Sequence, residues 1–419
     1  MNLQQHENRK TLRKRRAIPL VITSVIALAL LAGLFFLTRH LSKPALTPSA
    51  QPDVQPLPVL NILTDNEIPW DSKIPCVVNL IGGERQEALS GTIKCRGGYS
   101  SRYPKHSYSV ELSEKNSLCG LPADDDFILN ANYIDKTFQR HKISYDLFCE
   151  MNPRKNIAPL STYVMVQTNG KDQGLYVLMQ KVTAKTARLD KSDEGALLFK
   201  EPPIFYAEKL TSPQEPDNYY QQKYPKRKKK NKDGEMDELH RFLFQSSDAE
   251  FVEKVGQIFD IENVIDWHIL LLFTNNSDGL LKNFYLYRVN SDSPYRIIPW
   301  DYDHAFGRDG DGEKNLLENV IDCDRCILLK RLCHTDGTGY NDKLAARYRE
   351  LRQNGILSLA HFQKMMEDNN RLISPYIAKD AEIWPWNADE HFQQETSQDE
   401  MNLMLHFVKM QLDQLDSIF

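Results

Sequence analysis

The sequence predicts an α+β protein in which an N-terminal antiparallel sheet precedes a mainly helical C-terminal part, with one transmembrane helix ahead of both. Three patterns carry this expectation. Runs at 60–63, 76–81, 91–96 and 108–112 have β-branched or alternating character with turn residues between them. Helical periodicity takes over from 134, first in 134–150, where Ile134, Phe138, Ile143, Leu147 and Phe148 fall near one face. Upstream of everything, residues 17–37 form an apolar stretch of about 21 residues, and the hydrocarbon core of a bilayer needs roughly 20 at helical rise.

Arg9, Lys10, Arg13, Lys14, Arg15 and Arg16 immediately precede that stretch, so the positive-inside rule keeps the N-terminus cytoplasmic and exports the rest. A cleaved signal peptide is the alternative, with Thr47-Pro-Ser-Ala50 as a weak cleavage site; the length of the apolar run favours an uncleaved anchor in the cell membrane. Proline-rich residues 41–58 read as an extended stalk. The expected division is a basic tail 1–16, an anchor 17–38, a stalk 39–58, a main domain 59–340, and a helical extension 341–419 packed on it.

Further along, 163–167 and 174–180 read as strands joined by Asn169-Gly170, a strong hairpin dipeptide. Residues 202–237 lack apolar periodicity and carry the run from Lys226 to Lys230. That run is either a docking patch for an acidic or phosphate-rich surface or a solvated insertion, and the insertion is the default. Residues 251–274 read as one helix, 284–288 and 295–299 as a strand pair, and the polar, periodic chain beyond Gly339 as helices behind the site.

The net charge of −5 over 419 residues gives no reason to expect a nucleic-acid partner. Seven cysteines leave one unpaired even if the others bridge. Cys323-x-x-Cys326 followed by Cys333 and His334 is a possible zinc set, although a disulfide or buried thiols are the more ordinary reading.

The stretch with most chemical content is Asn275-Asn276-Ser277-Asp278-Gly279-Leu280-Leu281-Lys282-Asn283, followed after two strands by Trp300-Asp301-Tyr302-Asp303. Asp278 and Asn283 have the D-x-x-x-x-N spacing with which phosphoryl-transfer enzymes place a base and a metal ligand, and the hairpin then delivers Asp301. An Asp, an Asn amide oxygen and another Asp suit Mg²⁺; a structural loop is the competing reading, as is a calcium site at Asp301 and Asp303 or at the later Asp309, Asp311 and Glu313. Upstream, Arg96-Gly97-Gly98-Tyr99-Ser100-Ser101 and Lys105 could bring backbone N–H groups and positive charge to a phosphate, or simply form a turn. Arg140 and Lys142 face either the phosphates or solvent.

These residues resemble the CotH kinase family in four blocks: RGGYSSRYPKHSYSVEL at 96–112, LNANYIDKTFQRHKISYDLF at 129–148, YVMVQTNGKDQGLYVLMQKV at 163–182, and NNSDGLLKNFYLYR with IIPWDYDHAFG at 275–307. The resemblance spans roughly 57–310. It implies a divergent protein-kinase-like fold of two lobes, Mg²⁺ or Mn²⁺, ATP as co-substrate, and a secreted or surface protein phosphorylated on Ser or Thr. By that similarity Asp278 is the catalytic carboxylate and Asn283, Asp301 and Asp303 hold the metal. Arg96, Gly97, Ser100, Ser101, Lys105, Arg140, Lys142 and Gln180 surround the nucleotide. Gln180 departs from the family, which usually has glutamate there, and Gly98 stands where the family often has Asn. A catalytically silent display or binding module at the cell surface is the alternative.

Overall fold

In the computed structural model, which describes residues 56–81, 88–202, 205–206, 221–308, 321–385 and 396–419, the N-terminal strands close on themselves. Strands β1 (Val59–Leu63), β2 (Ile74–Ile81), β3 (Ala88–Arg96), β4 (Ser107–Asn116), β5 (Asp124–Asn130), β6 (Ser161–Thr168) and β7 (Lys171–Gln180) form a barrel in the order β1-β2-β3-β4-β5-β7-β6. Neighbours are antiparallel except β1 and β6, which run parallel with Val59 opposite Met165 and shut the barrel.

Alternation builds the interior. Leu60 and Ile62, Cys76 and Val78, Ile93 and Cys95, Tyr108 and Val110, Phe127 and Leu129, Val164 and Val166, and Tyr176 and Leu178 share one buried cluster. Each such large apolar side chain contributes roughly 1.5–3 kcal/mol when fully buried, and a one-residue slip would turn a whole strand's set outward. The intervening residues of β6 and β7, Tyr163, Met165, Leu175 and Val177, form a second cluster with Phe138 and Ile373. The hairpin between these strands is the expected one: Thr168 pairs with Lys171, and Asn169 and Gly170 sit at φ 50° and 78°.

Beyond the barrel, β8 (Leu197–Lys200), β9 (Gln221–Tyr224), β10 (Phe284–Arg288) and β11 (Arg296–Pro299) make an antiparallel sheet in the order β11-β10-β8-β9. The helices are α1 (Arg140–Met151), α2 (Asp233–Gln245), α3 (Asp248–Ile258), α4 (Ile261–Thr274), the single turn α5 (Asp278–Leu281), α6 (Ile327–His334), α7 (Tyr340–Gln353), α8 (Leu359–Ile383) and α9 (Ser397–Ile418). Helix α4 is buried along most of its length and packs on α1, α7, α9 and β11. The helix expected over 251–274 is two helices, because Asp260 leaves helical geometry and its carboxylate accepts the Asn263 N–H at 3.3 Å as a new cap.

The expected two-lobed, kinase-like fold with an antiparallel N-terminal sheet lobe is therefore corrected: the strands form a closed barrel with one parallel pair, and a second sheet accompanies the helices. The expected anchor 17–38 and tail 1–16 lie outside the described residues, as do nearly all of the stalk and the calcium candidates Asp309, Asp311 and Glu313. Among the described residues no helix is long and apolar enough to cross a membrane.

Lys105, just ahead of β4, joins the barrel to α8. Its ammonium is buried, paired with Asp380 at 2.7 Å, bonded to the Leu175 carbonyl, and placed over the Phe138 and Tyr176 rings at 4.8 and 4.6 Å. Burial pulls its pKa down to about 8, against the upward pull of Asp380. Asp380 also accepts the Leu175 N–H at 2.8 Å, and Gly174, at φ 86°, leaves room for it where any side chain would collide.

Removing one partner of this pair strands a buried charge. Asp380→Ala is expected to cost roughly 3–5 kcal/mol in urea unfolding, with much of it recovered in the double variant Lys105→Met, Asp380→Leu. A second expectation concerns pH. His268 on α4 is buried, with Nδ1 3.1 Å from the Tyr340 hydroxyl, and burial lowers its pKa from 6.5 to about 4. The unfolded chain then binds more protons between these values, so stability is full above pH 6.5 and falls as pH drops towards 4, by roughly 3 kcal/mol. Urea unfolding at a series of pH values should show this slope in the parent protein and a flatter one in His268→Gln.

Candidate functional site

The barrel, the second sheet and α5 enclose a cleft of about 1330 Å³. Helix α1 and the β10–β11 hairpin bring its chemistry together. In that hairpin Phe284 pairs with Pro299, and the Trp300 N–H donates to the Asn283 carbonyl at 2.9 Å, so Asn283 and Asp301 emerge at the same end. Asn283 and Asp301 both have left-handed backbone, at φ 59° and 57°. Asn and Asp tolerate this region better than most residues, yet such strain persists only where surrounding contacts impose it.

For Asp301 those contacts come from α1. Its N–H donates to the Tyr145 hydroxyl at 2.9 Å, and its carboxylate lies 3.1 Å from His141 Nε2. His141 and Tyr145 are one helical turn apart, so one face of α1 holds both ends of Asp301. Burial alone would raise the Asp301 pKa, but the hydrogen bond and charge of His141, with Arg96 and Lys200, hold it down at about 2. Asp303 goes the other way: burial raises it and Asp301 adds to the rise, against His304 and His141. One carboxylate is thus held ionised beside another that binds protons more readily, the pattern by which neighbouring acids take different roles.

Oxygens of Asp301 and Asp303 and a ring nitrogen of His141 lie within 4.8 Å of one another, and among the described residues this is the one such group of three. The two carboxylates fit a hard divalent cation, which prefers oxygen ligands. The imidazole already faces Asp301, so its place is to aim that carboxylate.

Of the residues singled out in the sequence, Arg96, Gly97, Ser100, Lys105, Asp278, Asn283, Asp301 and Asp303 line the cleft. Asp278 starts α5 and pairs with Lys282 at 3.0 Å. Arg96 stands over the Trp300 ring at 5.7 Å. Gly97, at φ 139°, keeps its loop tight, since a side chain there would strike Ser100 Oγ. Ser101 donates its hydroxyl to the Gly98 carbonyl at 2.8 Å. Lys105 contributes its stem only, because its ammonium belongs to Asp380.

Three other residues lie away from the cleft. Arg140 is buried among Asp135, Glu400 and the Ala305 carbonyl; Lys142 pairs with Asp146 at 2.9 Å; Gln180 accepts the Leu160 N–H at 3.3 Å. The four candidate zinc ligands do not converge, and His334 Nε2 faces Asp324 at 2.8 Å.

Sequence reasoning missed His141, and with it Lys73, Lys181, Lys200 and Lys223, which all line the cleft. Charge drew attention to Arg140 and Lys142, whereas the residue between them points into the site. Its spacing of four from Tyr145 was the available signal. With Lys94, Arg96 and Lys282, seven lysines and arginines besides Lys105 line the cleft against the four carboxylates Glu201, Asp278, Asp301 and Asp303.

A family model described as CotH kinase protein matches residues 93–415. The chain belongs to this family. It is also 28% identical over 261 residues to the inner spore coat protein H of Bacillus subtilis (strain 168), covering 60% of this chain and 67% of that protein. The CotH match begins on β3 and ends in α9, so it takes in the Arg96 loop, the acidic site and the C-terminal helices together.

The Asp301–His141 contact makes a prediction. Burial alone would lower the His141 pKa, but the Asp301 hydrogen bond together with the charges of Asp303, Asp301 and Asp135 holds it above its ordinary value. In Asp301→Asn that support is lost, and an NMR titration of the His141 ring should show its pKa falling below that of the parent protein.

Proposed function

We propose that this CotH family chain is a protein kinase of a coat or surface protein, moving the γ-phosphoryl group of ATP to a Ser or Thr hydroxyl. The observation that carries this reading is the pairing of Asp301, held ionised, with Asp303 in a cleft where seven basic side chains besides Lys105 stand against four acidic ones. In a chain of net charge −5, so many cations gathered in one concavity favour a polyanionic ligand. The coat or surface setting is drawn from the printed name of the Bacillus subtilis relative.

In this reading Asp301, Asp303 and the Asn283 amide would hold Mg²⁺ or Mn²⁺, which when bound supplies positive charge against phosphate oxygens. His141 and Tyr145 keep Asp301 at a fixed orientation. Arg96, Lys200 and Lys223 offset the charge of the phosphates. Lys223 is already pushed down to about 8, by burial first and then by Lys200, Lys181 and Lys226, so an anion nearby relieves mutual repulsion. Asp278 accepts the proton of the attacking hydroxyl as its oxygen bonds to the γ-phosphorus and the bridging P–O bond breaks. The short helix α5 holds Asp278 in the cleft, and Lys282 steadies its carboxylate.

The test is phosphoryl transfer by the full chain with labelled ATP and Mn²⁺, followed by mapping of the modified residues. Asp278→Asn is expected to lower kcat by roughly 10²–10⁴ with little change in the KM for ATP. Asp301→Ala should lose Mn²⁺ binding, read by electron paramagnetic resonance. A chain that folds but neither binds nucleotide nor transfers phosphate would sink the kinase reading and leave a silent binding module.

A further inference from the structure

Cys323 and Cys326 take no part in the chemistry above. They bracket a 3-10 turn, Cys323–Arg325, in which the Cys326 N–H donates to the Cys323 carbonyl at 3.0 Å. In such a turn residues three apart project to the same side, with Cα atoms about 6 Å apart after three rises of about 2 Å. That separation falls inside the span of roughly 4.4–6.8 Å bridged by disulfides. Both cysteines are free thiols, Cys326 buried and Cys323 half-buried. Cys333 is seven residues beyond Cys326 on α6, about 10 Å along the helix, which rules it out as the partner of Cys326.

The turn is also attached to the acidic site. It packs against α5, which carries Asp278. Just before it, the Ile321 N–H donates to the Asn275 side-chain oxygen at 3.2 Å, and Asn275 opens the segment that runs to Asn283. On its other side Cys326 bridges Tyr206. Whatever stiffens the turn therefore acts on the backbone that holds Asp278.

We propose that Cys323 and Cys326 are a disulfide-forming dithiol whose closure braces the 275–283 segment. The reaction balances with a small-molecule disulfide such as oxidised glutathione as oxidant. Two S–H bonds are lost and one S–S bond forms, while two electrons and two protons pass to the oxidant and release two glutathione thiols. Burial pushes the Cys326 thiol up to about 12 and Cys323 higher still, so little thiolate exists at neutral pH. Closure is accordingly slow there and accelerates with rising pH.

The experiment equilibrates the full chain with oxidised glutathione or with dithiothreitol, alkylates the remaining thiols, and maps the peptides by mass spectrometry. The expected product joins Cys323 to Cys326, persists in Cys333→Ser and is absent in Cys323→Ser. Thiols that stay alkylatable after equilibration, or a bond joining Cys323 to Cys333, overturn the assignment. Hydrogen exchange on the two forms of the parent protein then reads the bracing. Slower exchange across 275–283 in the oxidised form supports it, and equal exchange overturns it. Neither readout needs nucleotide or transferase activity, so the kinase reading is tested separately.

Discussion

Arg140 is the point on which the arrangement turns. Its buried guanidinium donates to Asp135 at 2.7 Å, to Glu400 at 2.9 Å and to the Ala305 carbonyl at 2.9 Å. Asp135 follows the barrel strand β5, Glu400 lies on the last helix, and Ala305 follows the acidic hairpin, so one side chain ties together three regions far apart in the chain. Arg308 donates to the same Glu400 at 2.9 Å, which balances the local charge. Such a network is worth having only when every member is satisfied, since a lone buried ion costs several kcal/mol. The Arg140 bond to the Ala305 carbonyl also ties α1 to the chain just after the hairpin, on the same helix whose His141 and Tyr145 meet Asp301.

Much of this was legible from local pattern. Inward-facing pairs such as Leu60 and Ile62 or Tyr108 and Val110 alternate as a half-buried strand must, and Asn169-Gly170 named its own hairpin. Asp278, Asn283 and Asp301 stood out by their spacing, and all three line the cleft. What escaped depends on distance. The parallel pairing of β1 with β6 leaves no mark on either strand, so an antiparallel sheet was the natural expectation and a barrel closed by a parallel pair the outcome. The four residues of β9, Gln-Gln-Lys-Tyr, are too short and polar to announce a strand.

Lys105 and Arg140 show the same limit from another direction. Read as residue types beside a glycine-rich loop, both suit phosphate. Each instead meets a carboxylate from a C-terminal helix, Asp380 or Glu400, more than 250 residues away, as the separations of 275 and 260 show. His141 shows the converse: an unremarked residue in a helix becomes part of the site because the hairpin lands beside it.

The closing strand has a consequence for how the molecule comes into being. A chain made from its N-terminus exposes β1 well before β6 exists, since Val59 and Met165 are partners across more than a hundred residues of synthesis. Through that interval the free edge of β1 can pair with any other strand it meets, the ordinary route to aggregation. High contact order also predicts a slow collapse to the finished barrel. The same parallel seam that leaves the mature barrel without an edge therefore makes the nascent one a client for whatever shields unfinished sheets in the cell.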